Sequence, residues 1–101
     1  MNGRLENWSI GIKTAGTLQR PETKRILQGR IYDDPRFPNG CFISTSEIVG
    51  CIGEDIITHD HSIYKLGNIL PTYEAAFPNA RNRLLADLQK TMDIVKGVLN
   101  G

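Results

Sequence analysis

Residues 29–67, GRIYDDPRFPNGCFISTSEIVGCIGEDIITHDHSIYKLG, carry the pattern that decides the fold. Apolar side chains recur there with a period of two, and turn-forming residues interrupt them at short intervals. Ile26 to Tyr32 reads as a strand, and Gly29 inside it points to a bulge or to a close approach by another group. Asp33-Asp34-Pro35-Arg36-Phe37-Pro38-Asn39-Gly40 follows as a structured turn, because proline fixes φ and glycine accepts positive φ. From Phe42 to Ile52 the alternation sets Ile43, Thr45, Glu47 and Val49 against Phe42, Ser44, Ser46 and Ile48. Gly53-Glu54 breaks the run and Asp55 to Thr58 resumes it, so Ile48 to Thr58 reads as a hairpin. His59-Asp60-His61 is a second turn, Ser62 to Leu66 the returning strand, and Gly67-Asn68 its end.

Outward from this stretch, Trp8, Ile10 and Ile12 alternate with Ser9 and Gly11 as a half-buried strand ending near Thr14-Ala15-Gly16. Residues 17–25, TLQRPETKR, read as a loop or as a short helical turn with Pro21 at its first position. After Pro71 the period changes. Thr72 is placed to cap a short turn over Tyr73 to Phe77, and Pro78 to restart a helix. Leu84, Leu85, Leu88, Met92, Val95 and Leu99 then recur at three and four, and Ile94 and Val98 widen the stripe beyond what one small sheet needs. Gly97 to Gly101 is the expected end of this helix, by fraying or with glycine as terminator. The expected fold class is α+β: a small antiparallel β-sheet of five or six strands packed on a long C-terminal α-helix. Short links dictate the antiparallel order. A single domain over 1–101 is expected, with 1–70 as the sheet region and 71–101 as a helical region used for packing and oligomerisation; the wide stripe makes a homodimer the natural expectation.

A formal net charge of +1 gives no global pull towards DNA or a membrane surface, so any anion site has to be local. The segment MNGRLENWSIGIK has no apolar run long enough for a signal peptide, and no stretch approaches a membrane span. The expectation is a cytosolic protein in which Cys41 and Cys51 stay reduced. Zinc is disfavoured: the two cysteines lie ten apart without a C-x-x-C, and His59 and His61 fall in a turn. No second acid or base accompanies His61-Ser62, and no third group orients a Cys41–histidine pair, so no catalytic set emerges. No cofactor is implied.

Phosphate binding is better supported, although neither a P-loop nor a G-x-G-x-x-G occurs. Ser44-Thr45-Ser46 offers small hydroxyls and amides, and Arg20, Arg25, Arg36, Arg81 and Arg83 offer charged donors. Phe37, Tyr32, Tyr64 and Tyr73 are candidates to stack a base, and the helix start at Pro78-Asn79 adds a local positive dipole. For the 33–40 turn a rigid corner in which Phe37 plugs the core stands beside the binding-loop reading. Solvated arginines and core aromatics are the plain alternative throughout.

The pattern formed by Gly29, Ile31, Tyr32, Pro35, Arg36, Phe37 and Gly40, then Thr45, Ser46, Ile48 and Val49, then Thr58, Tyr64, Leu66 and Gly67, resembles that of small phage-encoded proteins. It is most similar to the first Thoeris anti-defence family, and Trp8-Ser9 fits as well. Asp60-His61 departs from the Ser-Gly type of turn expected before the last strand, and a histidine at positive φ costs more than glycine. The resemblance implies a sponge in the cytoplasm of an infected bacterial host. Such a protein binds a cyclic ADP-ribose-type messenger made by TIR enzymes, or a cyclic oligonucleotide messenger, without degrading it, and forms a homo-oligomer built from dimers. The implied ligand contacts are Arg25, Arg36 and one of Arg81 or Arg83 on pyrophosphate, Phe37 or Tyr64 on adenine, and Thr45, Ser46 and Asn79 on ribose or phosphate. The alternative is a phage inhibitor acting by direct protein–protein binding to a host defence protein.

Overall fold

The computed structural model describes the backbone of residues 3–100 and the side chains of residues 3–14 and 16–92. In chain order the elements are β1 (Gly3–Gly16), β2 (Pro21–Tyr32), β3 (Cys41–Ile52), β4 (Asp55–Thr58), β5 (Ile63–Leu66), α1 (Pro71–Ala76) and α2 (Ala80–Asn100). The five strands form a closed barrel in sequence order. The four successive pairings are antiparallel, as short links require, whereas β1 and β5 pair parallel through Gly3–Leu5 and Tyr64–Leu66. This follows from parity: in a meander of five strands the first and last run the same way, so closure can only be parallel.

The expected antiparallel sheet of five or six strands packed on a long C-terminal helix is therefore overturned. The strands bury one face against each other, with Leu5, Trp8, Leu27, Ile31, Ile43, Ile48, Cys51, Ile56 and Tyr64 inside. Only a short helical layer is needed. Described helical packing is confined to six-residue α1 and to residues 80–92 of α2, where Ala80, Leu84 and Leu88 are buried. Met92 reaches back to β3, its sulfur accepting from the Cys51 amide at 3.4 Å. The side chains of Ile94, Val95, Val98 and Leu99 lie outside the described residues; the backbone of α2 runs through Gly97 to Asn100, and Gly101 lies outside the described residues. No helix among the described residues is long and apolar enough to cross a membrane.

Three bulges bend the strands into closure. One extra residue in β1 sets Asn7 and Trp8 opposite Gly29, with Asn7 at φ 50°. A Cβ on Gly29 would meet the Glu6 carbonyl oxygen at 3.0 Å and Trp8 Cα at 3.1 Å, which is the close approach its sequence position suggests. A second bulge in β3 faces Leu27, and the buried Thr45 hydroxyl accepts the Leu27 amide at 3.0 Å. A third, at Val49, lies on the pairing with β4. Of residues 17–25, which were expected as a loop or a helical turn, only 17–20 are a loop, closed by backbone hydrogen bonds that Thr17 and Arg20 exchange; Pro21 opens no helix but begins β2, where its missing N–H is tolerated. Residues 12–25 thus form a ribbon paired only with itself beyond the barrel, since β3 joins β2 only from Ile26 onward.

The β1 bulge turns Trp8 inward. It is fully buried, and its indole N–H donates to the Gly67 carbonyl at 3.0 Å. Its backbone receives the chain leaving β5: the Trp8 amide donates to Asn68 O, and the Leu70 amide donates to Trp8 O at 2.9 Å. Trp8→Phe removes the indole bond and part of the ring volume, and should cost about 2 kcal/mol in urea unfolding. A loss below about 0.5 kcal/mol contradicts this role for the indole.

Candidate functional site

The segment that Trp8 fixes delivers the helices. Leu70 is extended (φ −60°, ψ 123°), Pro71 occupies the first turn of α1, and no side chain caps it, so the expected Thr72 cap is absent. Nor does Pro78 open the second helix. Pro78 and Asn79 form a turn with Asn79 at φ 64°, its amide donating to the Glu74 carboxylate at 3.3 Å, and α2 begins at Ala80. The turn redirects the chain from α1 into α2, and a groove lies between this helical segment and the ribbon.

The groove has a volume of about 470 Å³. Buried Ala80 and Leu84 form its base with the half-buried Ile10, while Ile12 contributes from the ribbon. Tyr73 and Phe77, one helical turn apart, form an aromatic side with ring centroids 4.9 Å apart and planes at 37°. Burial pushes the Tyr73 phenol up, and a hydrogen bond with the Ile10 backbone opposes that shift. The rim carries the charges: Arg25 from β2, and Arg83 and Asp87 one turn apart on α2. Arg25 pairs with Asp87 at 2.9 Å. No ion-pair or hydrogen-bond partner of the Arg83 guanidinium is found among the described residues.

Of the nine ligand contacts that the resemblance implies, only Arg25 and Arg83 meet in this groove, where they are joined by Tyr73, one of the candidates to stack a base. Thr45 spends its hydroxyl on the Leu27 amide and the Ser46 carbonyl. Ser46 bonds Asp60 and, with Thr45, lines a smaller notch of about 220 Å³ shared with Lys13, Lys24, Glu47 and His59. Asn79 and Arg81 line a third cleft of about 350 Å³. Arg81 is already engaged, donating to the Gly67 carbonyl and lying over the Trp8 ring at 5.8 Å.

Arg36, Phe37 and Tyr64 build a corner. Asp34 is buried, and Arg36 grips its carboxylate with Nε and Nη2, the shortest bond being 2.7 Å. Arg36 also donates to Ser62 Oγ at 3.0 Å and to the Tyr64 hydroxyl at 3.1 Å, tying the 33–40 turn to β5. Phe37 packs against the core, and Tyr64 is 3% exposed and part of it. The rigid-corner alternative describes this loop. Phe77 and Asp87 were not among the candidates; the i, i+4 pairs Tyr73/Phe77 and Arg83/Asp87 are the sequence signal that marks them.

Among the described residues no group of three His, Cys, Asp or Glu side chains is placed to hold a metal ion. Cys41 and Cys51 are free thiols, and burial pushes the Cys51 thiol up. His61 takes φ 68° in the turn before β5, the conformation anticipated as costly for this residue. Comparison with protein-family profiles, with curated proteins and with solved structures finds no match to this chain.

Two carboxylates give the fold a defined acid response. The Arg36 hydrogen bonds hold Asp34 below its usual range. Asp60, accepting from Thr58 Oγ1 at 2.6 Å and from the Ser62 amide, is lowered to about 2 from 3.8. Both are depressed in the folded state, so their stabilisation is complete above the unfolded value and is lost as pH falls through the folded one. Melting temperature should therefore fall between about pH 4 and pH 2. Asp60→Asn should be less stable than wild type at neutral pH and show a shallower decline in that window. An unchanged acid profile in Asp60→Asn contradicts the assignment.

Proposed function

We propose that this protein binds a phosphate-bearing nucleotide messenger in the groove between the ribbon and the helices, and holds it without chemical change. The observation that carries the reading is Arg83, a guanidinium with no described partner on the rim of an aromatic-sided groove. A volume of about 470 Å³ lies inside the range of about 300–1,000 Å³ usual for small-molecule sites. Tyr73 and Phe77 offer a face for a base, and Arg83 offers charged donors for a phosphate. The lining combines aromatic and apolar side chains with two arginines and one carboxylate, a set suited to recognising a base and a phosphate. With the sequence resemblance, this supports a phage anti-defence sponge that sequesters a cyclic ADP-ribose-type messenger in the infected bacterial cytoplasm, assembled from dimers. Gel filtration at the mass of one chain would remove the oligomer from this proposal.

A second reading has its own support. Leu18 is fully exposed at the ribbon tip and Ile12 is 64% exposed behind it, a projecting apolar element suited to binding a host defence protein directly.

Thermal melting against cyclic ADP-ribose isomers, ADP-ribose, and cyclic di- and trinucleotides separates the two readings. One compound should raise the melting temperature and be recovered intact, by mass, after heating. Arg83→Ala should weaken that compound about tenfold or more and leave the melting temperature of the free protein within about 2 °C. Arg36→Ala should do the reverse, lowering the free protein's melting temperature by several degrees. No shift with any compound moves the assignment to the ribbon and a protein partner.

A further inference from the structure

The proposal rests on the ligand groove described above and concerns which ligands it selects. The rim holds two guanidinium groups and one carboxylate, so it keeps a net single positive charge. These groups are not equivalent. Arg83 has no described partner, whereas Arg25 is held by Asp87 at 2.9 Å. Asp87 follows Arg83 by one turn of α2 and so shares its face, and Arg25 stands opposite Ile12 on the ribbon. The Arg25–Asp87 contact therefore spans from ribbon to helix beside the groove. The pair is open to solvent, with side chains 39% and 57% exposed, so a competing anion can exchange with it at small cost.

We propose that Asp87 sets how many anionic groups the groove accepts, its carboxylate occupying on Arg25 the place that a second ligand phosphate takes. A ligand with one phosphate monoanion uses Arg83 and leaves the ion pair intact. A ligand with two phosphates uses Arg83 for one and must displace Asp87 from Arg25 for the other. Asp87 thus lowers affinity selectively for two-phosphate ligands, and is a specificity-determining residue that need not touch the base.

The test compares two adenine probes, cyclic adenosine monophosphate with one phosphate and ADP-ribose with two, by calorimetric titration of wild type and four variants. Asp87→Asn keeps the side-chain shape while removing its charge. It should tighten ADP-ribose about tenfold and change the cyclic monophosphate by less than about twofold. The double variant Arg25→Ala/Asp87→Asn should bind ADP-ribose no more tightly than Arg25→Ala alone. Arg83→Ala should weaken both probes. If both probes depend on Arg83 and Asp87→Asn changes neither, or changes both equally, the role of Asp87 is wrong and the groove reading stands. If neither probe binds wild type or Asp87→Asn at millimolar concentration, the groove reading itself falls and this inference falls with it.

Discussion

The burial of Trp8 is the constraint on which the rest depends. A single inserted residue in β1 turns the indole into the barrel, and Gly29 opposite leaves room for the backbone that carries it. From there Trp8 receives the outgoing chain on three bonds, to Gly67, Asn68 and Leu70. The neighbouring Glu6 carboxylate fills the space a side chain at position 67 would need, and accepts the Asn68 amide at 2.8 Å. Arg81 stacks over the same indole and bonds the same Gly67 carbonyl, so the start of α2 is fastened there too. The positions of both helices, and with them the groove, are inherited from one side chain and the bulge that aims it.

Arginines in this chain divide by what they already hold. Arg36 has most of its donors satisfied by Asp34, Ser62 and Tyr64, and its pairing with a buried carboxylate raises its already high pKa further. Arg81 is committed to a carbonyl and an aromatic face. Such groups would have to abandon buried partners before meeting a ligand, at the cost of leaving those partners unsatisfied. Arg83 has no partner to abandon among the described residues. Sequence shows five donors on every arginine alike, and only the fold distinguishes the spent from the available.

Strand locations and turns were largely legible, because Gly53-Glu54, His59-Asp60-His61 and Gly67-Asn68 punctuate period-two runs. Facing was less so. Each bulge converts a step of two into a step of three, so β3 buries Ile43, Thr45, then Ile48, then Cys51, while Val49 turns outward. Read with a constant period, one face of that strand is mixed, and the mixture was the trace of the bulges. Closure was not legible because no residue declares it; it emerges from strand number and curvature together. Of the groove, the arginines and Tyr73 were visible and Phe77 was missed, since the place of α1 and of the Phe77 that ends it depends on Trp8, more than sixty residues earlier.

The odd number of strands also fixes where the helices can go. Because β5 runs alongside the start of β1 in the same direction, the chain leaves the barrel heading towards the end from which the ribbon projects. It keeps that course beside β1 as far as Leu70, then turns into α1 with Tyr73 already next to Ile10. One strand more or fewer would send the exit to the opposite mouth of the barrel, leaving the ribbon bare and the helices with nothing to enclose. In this architecture the concavity is a matter of counting: any rearrangement that preserves the strand number can vary the lining freely, while one that changes it by one loses the groove altogether.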